Sequence, residues 1–163
     1  MTVCDQPSLE ALAAEVGALL QAEGQSLATA ESCTGGWVAH CLTAIAGSSA
    51  WFDRGYVVYS NQAKIDMLGV SEATLAAQGA VSEATAAAMA LGALRYSRAS
   101  WALAITGIAG PSGGSPGRPI GMVCFAWAAA DGFLNTETRH FAGERHAVRA
   151  QAVAHALAGL LAH

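Results

Sequence analysis

Residues 26–40 read SLATAESCTGGWVAH. The stretch 26–31 predicts a short buried strand, Ser32-Cys33-Thr34-Gly35-Gly36 a tight turn, and residues 37–45 a helix. A strand that passes through a glycine turn into a helix is the repeating unit of an α/β fold. The rest of the chain extends that alternation in both directions. Upstream, Leu9, Leu12, Val16, Leu19 and Leu20 recur at helical spacing over residues 8–24, with Ser8 placed to cap the helix and Gly24 to end it. Downstream, residues 51–60 (WFDRGYVVYS) read as a strand and residues 61–68 as a short helix capped by Ser60. Ser71 and Ser82, each followed by glutamate, mark two more helix starts. The second of these opens an alanine-rich helix over 82–97. Residues 101–106 form an apolar strand, 107–117 a loop of glycine and proline, and 120–130 with 135–141 a hairpin around Asp131-Gly132. A helix over 144–161 closes the chain. The expectation is one α/β domain over residues 1–163, with its core about 8–161 and helices on both faces of the sheet.

Composition narrows the function classes. With 53% hydrophobic and 12% charged residues the chain has ample surface to bury, which excludes disorder. A charge fraction this low also suggests that some surface is covered, and a homodimer is the default expectation. Eight basic against twelve acidic residues give a net charge of −4; no basic stripe is available for a nucleic-acid backbone. The four cysteines form no CxxC pair and have no histidine at zinc-ligand spacing. The N-terminus lacks the pattern of a secretory signal, and no apolar run reaches the roughly 20 residues of a membrane span. The expected setting is the reduced cytoplasm.

Three polar segments leave the carboxyl ends of strands, where ligands of open α/β sheets bind: AESCTGG, YSNQAK and TGIAGPSGGSPGRPIG. In the first, Ser32 is the natural nucleophile, with the N–H groups of Thr34 and Gly35 as oxyanion donors. The bland alternative is that Ser32 or Thr34 merely caps the following helix. Cys33 is a second nucleophile candidate, ranked lower because such cysteines are usually buried and structural. A serine hydroxyl needs a base at neutral pH. Lys64, the only lysine of the chain, can serve if desolvation lowers its pKa, and Tyr59 can relay a proton or orient it. Taken alone, Lys64 reads as a solvated helix lysine and Tyr59 as a half-buried aromatic; beside Ser32 they form a set. The third segment has neither Walker nor dinucleotide spacing. It is either a ligand-wrapping loop beginning at Thr106 or a surface loop stiffened by prolines. Arg145 and Arg149, one turn apart, can grip a phosphate or lie solvated on the last helix.

Together, LATAESCTGGWVAH, GSSAWFDRGYVVYSNQAKIDMLGV, AITGIAGPSGGSPGRPIGMV and FAGERHAVR, in this order, resemble the CinA C-terminal-domain family over about residues 8–161. The resemblance implies a three-layer α/β/α fold with a mostly parallel mixed sheet. It implies hydrolysis of nicotinamide mononucleotide to nicotinate mononucleotide and ammonia, a pyridine-nucleotide salvage step. It also implies a serine-based site with no metal and no cofactor, in which Ser32, Tyr59 and Lys64 are catalytic. On that reading the N–H groups of the Thr34-Gly35-Gly36 turn hold the oxyanion. The ribose phosphate then meets the glycine-rich loop at Thr106, Gly107 and Gly110, with Arg145 beside it. Family members often carry a further N-terminal domain; this chain resembles the standalone form. Two rival functions are an amidase for another small amide and a non-catalytic module that binds a nucleotide or a protein. Substrate profiling separates the first; indifference to Lys64→Ala would mark the second.

Overall fold

The computed structural model describes residues 4–163, so residues 1–3 of the expected domain lie outside the described residues. Along the chain run α1 (Gln6–Ala22), β1 (Leu27–Glu31), α2 (Trp37–Thr43), β2 (Phe52–Val57), α3 (Asn61–Leu68), α4 (Glu72–Gln78), α5 (Glu83–Arg95), β3 (Trp101–Gly107), β4 (Met122–Ala129), β5 (Leu134–His140) and α6 (Arg145–Leu161). The five strands form one sheet in the order β2-β1-β3-β4-β5. β1 pairs in parallel with β2 and β3, whereas β4 runs antiparallel to both β3 and β5. Four strands therefore share one direction, and only β4 opposes them.

Side chains alternate across a strand, and here the alternation separates large from small. Leu27, Leu103, Ile105, Val123, Phe125 and Trp127 point to one face, packed with α1, α2 and α6. The other face is paved with Ala28, Ala30, Ala102, Ala104, Ala126 and Ala128, and it receives α3 and α5 through Leu68, Met89 and Ala93. Small side chains let α5 lie close to the sheet, which in turn decides how near α3 can come. The result is the expected α/β/α sandwich.

The strand expected over 51–60 is shorter, Phe52–Val57, the helix expected over 37–45 ends at Thr43, and local chemistry shifts the start of the first helix. The first helix begins at Gln6, and its cap is Asp5, whose carboxylate accepts the Ser8 N–H at 2.9 Å. Ser8 is therefore the third residue of the helix. Pro7 sits in the first turn, where its missing N–H costs nothing. The caps expected at Ser60, Ser71 and Ser82 are all present, each hydroxyl accepting the N–H three residues on. Among the described residues no helix is long and apolar enough to cross a membrane.

Helix α3 is seated on α5 at Gly92. A Cβ there would stand 2.9 Å from Leu68 Cβ and would run into the Leu68 carbonyl. Overpacking of this kind costs about 1–3 kcal/mol, against at most about 1 kcal/mol that alanine returns in helix propensity. Gly92→Ala is expected to lower the thermal midpoint by a few degrees. An unchanged or higher midpoint in a thermal melt would show that α3 is not held in this way.

Candidate active site

The three polar segments meet at the carboxyl end of β1 and β3. Ser32 extends β1 by one more sheet hydrogen bond, its N–H donating to Ile105 O at 2.9 Å. The chain then turns through Gly35 and Gly36, with φ of 58° and 98°. Both are left-handed values that favour glycine, so the pair is explained by backbone conformation.

Lys64 comes to Ser32 from α3. Its stem and ammonium are buried, and Nζ lies 3.1 Å from Ser32 Oγ, 3.1 Å from Val58 O and 3.3 Å from Tyr59 O. None of these partners carries a charge. Burial pushes the Lys64 pKa below that of an ordinary lysine, with a small opposing influence from Cys33. A neutral amine has two N–H groups and one lone pair. The two carbonyls can only accept, so they take the N–H groups and leave the lone pair for the Ser32 hydroxyl. When Lys64 is charged, the alternative acceptor for that hydroxyl is Tyr59 O at 3.5 Å.

Around this pair lies a cavity of about 260 Å³ that also takes in Tyr59, Thr106, Gly107 and Arg145. Tyr59 contributes in two ways. Its carbonyl holds the lysine, while its largely exposed phenol accepts from Arg145 Nη2 at 3.3 Å. The expected link between the phenol and Lys64 is thus replaced by a link to arginine. Arg145 Nη1 also donates to Gly110 O at 2.9 Å. Gly110 therefore reaches the site only through that carbonyl and does not line the cavity. Thr106 lines it, but its hydroxyl donates to Ala80 O at 2.8 Å.

Thr34, Gly35 and Gly36 do not line the cavity, and the turn uses most of their polar groups internally. The Gly35 N–H donates to Ser32 O at 3.1 Å, which removes it as an oxyanion donor. The Thr34 hydroxyl is buried and donates to Glu31 Oε1 at 2.7 Å. Glu31 was not singled out by sequence, yet it organises the turn. Its carboxylate also accepts the N–H groups of Val38 at 2.9 Å and Ala39 at 3.1 Å, and a further backbone hydrogen bond from Gly36. Burial raises the Glu31 pKa, and these four donors oppose the rise. The start of α2 is therefore occupied by the protein's own anion. Among the described residues no backbone acceptor takes the Thr34 N–H, and Thr34 is fully buried.

Two further expectations change. Arg149 is only partly exposed and its guanidinium is committed to the main chain, donating to Cys33 O at 2.9 Å and Thr34 O at 3.2 Å. Cys33 lines the cavity, but burial pushes its thiol up to about 12, which leaves almost no thiolate near neutral pH. Asn61, at the start of α3, also lines the cavity and was not anticipated. Its position directly after the YS of YSNQAK is the only sequence signal for it.

The fold and this pair define a class: an α/β/α protein with a buried serine–lysine contact at the carboxyl edge of its parallel strands. The chain belongs to the CinA C-terminal domain family, whose model matches residues 9–163. A protein of Escherichia coli K12 named nicotinamide-nucleotide amidohydrolase PncC is 57% identical over 146 residues, covering 90% of this chain and 88% of that protein. The crystal structure of a competence/damage inducible protein from Agrobacterium tumefaciens superimposes with a TM-score of 0.91 at 48% identity, over 94% of each chain. A competence-damaged protein (CinA) superfamily structure from Escherichia coli gives 0.92 at 42% identity, over 99% of this chain and 93% of that one.

Glu31→Gln tests the turn. Glutamine offers one acceptor oxygen where the carboxylate offers two, so donors in the turn lose their partner. Each donor left without an acceptor costs about 1–3 kcal/mol. The expected result is a clear loss of stability in chemical denaturation. Parental stability would show that the carboxylate does not hold the turn.

Proposed function

We propose that this chain is a nicotinamide-nucleotide amidohydrolase that takes nicotinamide mononucleotide, with Ser32 as nucleophile and Lys64 as its base. The observation that carries the reading is the 3.1 Å contact between Lys64 Nζ and Ser32 Oγ in a buried, uncharged setting. The name of the 57% identical relative supports the substrate class.

Neutral Lys64 accepts the Ser32 proton as Oγ bonds to the carboxamide carbon. The carbonyl oxygen takes up the electron pair and becomes an oxyanion. The Lys64 ammonium then gives its proton to the amide nitrogen as the C–N bond breaks, and ammonia leaves. Water attacks the Ser32 ester with Lys64 again as base, and the acid departs with Ser32 restored. The cationic pyridinium ring withdraws electrons from the amide and makes its carbon easier to attack. At the cavity mouth, Arg145 is exposed and hydrogen-bonded to the Tyr59 phenol. It supplies a cation for the ribose phosphate. Tyr59 acts by holding Lys64 through its carbonyl and Arg145 through its phenol.

The test is ammonia release from nicotinamide mononucleotide by the parent, Ser32→Ala and Lys64→Ala, each checked for folding. Ser32→Ala is expected to abolish release, and Lys64→Ala to slow it by at least about 100-fold. No release by the folded parent overturns the substrate, and parental rates in folded Lys64→Ala overturn the base.

The pH dependence has a definite sign. Because the Lys64 pKa is depressed below the ordinary 10.5, the neutral amine is populated at lower pH than in a solvated lysine. The neutral form is the base, so kcat/KM is expected to rise with pH through an inflection below 10.5 and to fall as acid protonates Lys64. An activity that increases as pH falls through that range would contradict the assignment.

A further inference from the structure

The fold makes no use of the Asn61 side chain. Ser60 caps α3: its hydroxyl accepts the Ala63 N–H at 3.0 Å, and its carbonyl accepts the Lys64 N–H at 3.2 Å. Asn61 is the first residue of the helix, one position past the cap that asparagine favours, and inside a helix asparagine is a poor former. Its amide makes no hydrogen bond among the described residues. Yet Asn61 lines the cavity beside Ser32 and Lys64. The other nitrogen- or oxygen-bearing side chains of that lining, Ser32, Tyr59, Lys64, Thr106 and Arg145, each hold a protein partner.

Placement and charge narrow what this amide can meet. Residues three apart on a helix are neighbours on one face, so Asn61 stands one turn from Lys64, towards the helix start. Lys64 reaches Ser32 at the reacting end of the cavity, and the exposed Arg145 forms the part of the wall that suits a phosphate. An acidic residue is otherwise favoured in a first turn. A carboxylate beside Lys64 would stabilise its ammonium and work against the depressed pKa. Asparagine offers hydrogen bonding without that charge, with one acceptor oxygen and two N–H donors. In a ribosylated pyridinium amide the carboxamide belongs at Ser32, the ring has no further hydrogen-bonding group, and the phosphate dianion only accepts. The vicinal 2′- and 3′-hydroxyls both donate and accept, so they match both ends of a side-chain amide.

We propose that Asn61 is a specificity-determining residue that recognises the sugar of the substrate. Its Oδ1 accepts from one ribose hydroxyl and its Nδ2 donates to the other, which sets the sugar between the amide at Ser32 and the phosphate at Arg145. The inference rests on nicotinamide mononucleotide being the substrate, and it supplies a partner for the part of that molecule which the reading left without one. A free carboxamide has no diol and forfeits both bonds, so the same contact separates the nucleotide from nicotinamide.

The experiment measures by calorimetry the binding of nicotinamide mononucleotide and of its 2′,3′-dideoxy analogue. The proteins are Ser32→Ala, in which turnover is stopped, and the double variant Ser32→Ala/Asn61→Ala. Asn61 is exposed and alanine is the better helix former, so the substitution does not threaten folding. Two hydrogen bonds are expected to be worth about 10- to 100-fold in Kd. Ser32→Ala should prefer the diol by that factor, and the double variant should bind both ligands equally. In steady-state ammonia release, Asn61→Ala alone should raise KM for nicotinamide mononucleotide by a similar factor, with kcat changing much less. Equal binding of the two ligands by Ser32→Ala overturns the proposal, as does a preference for the diol that survives in the double variant. A loss confined to kcat also overturns it, since that would place Asn61 at the reacting amide. If the parent releases ammonia, any of these results removes the role of Asn61 alone and leaves the substrate reading standing. If the parent neither binds nor hydrolyses nicotinamide mononucleotide, the substrate reading falls and this inference falls with it.

Discussion

A lysine held out of water with no counter-charge is the constraint on which the site depends. Lys64 Nζ is surrounded by a serine hydroxyl and two backbone carbonyls, so none of these three partners sets a full charge against the burial that favours the amine. Burial of this kind lowers a lysine pKa, and the surroundings must be rigid enough to keep water from relaxing around the charge. That demand reaches into the fold. Val58 and Tyr59 present their carbonyls just beyond the end of β2, where the Val58 N–H still bonds Glu31 O at 2.9 Å. Helix α3 brings the stem of Lys64 in from the other side, and Gly92 gives α3 the room to do so. The alanine-paved face of the sheet is therefore tied to the chemistry. A larger side chain on that face would push α5 outward, and α3 with it.

The other face contributes through α6. Arg145 and Arg149 stand one turn apart at its start, and between them they reach all three polar segments. Arg149 binds the turn after Ser32; Arg145 binds the Tyr59 phenol and the Gly110 carbonyl. These segments are distant in sequence, and convergence at a strand end would leave them as separate loops. Two guanidiniums on one rigid helix join them. The same residue type does two jobs four positions apart: Arg149 is committed to the backbone, while Arg145 stays exposed at the cavity mouth.

Much of this was legible in the chain. Strand, glycine turn and helix could be read from 26–40, the serine caps from their spacing, and the meeting of Ser32 with Lys64 from both lying just past strand ends. What could not be read was the direction in which polar groups point. Thr34 looks like a ligand contact in sequence, but its hydroxyl turns inward to Glu31. Glu31 closes a short apolar strand, and nothing in its neighbours announces that four donors will surround it. Arg149 has the spacing of a surface arginine, and its partners are main-chain carbonyls more than a hundred residues away. Ser8 lost the cap to Asp5 because a carboxylate two residues before Pro7 fits the helix start as well as a hydroxyl does. In each case the deciding partner is set by the direction the folded chain gives the group, whether that partner lies three residues away or more than a hundred, and residue patterns carry no mark of it.

The turn after Ser32 is gripped by opposite charges acting on opposite groups: Glu31 on N–H donors, Arg149 on carbonyl acceptors. This arrangement changes where an anion can be bound. A helix start is ordinarily the attractive place for negative charge, but here the protein's own carboxylate fills it. An anion that enters the cavity therefore meets the exposed Arg145 guanidinium at its wall rather than the start of α2.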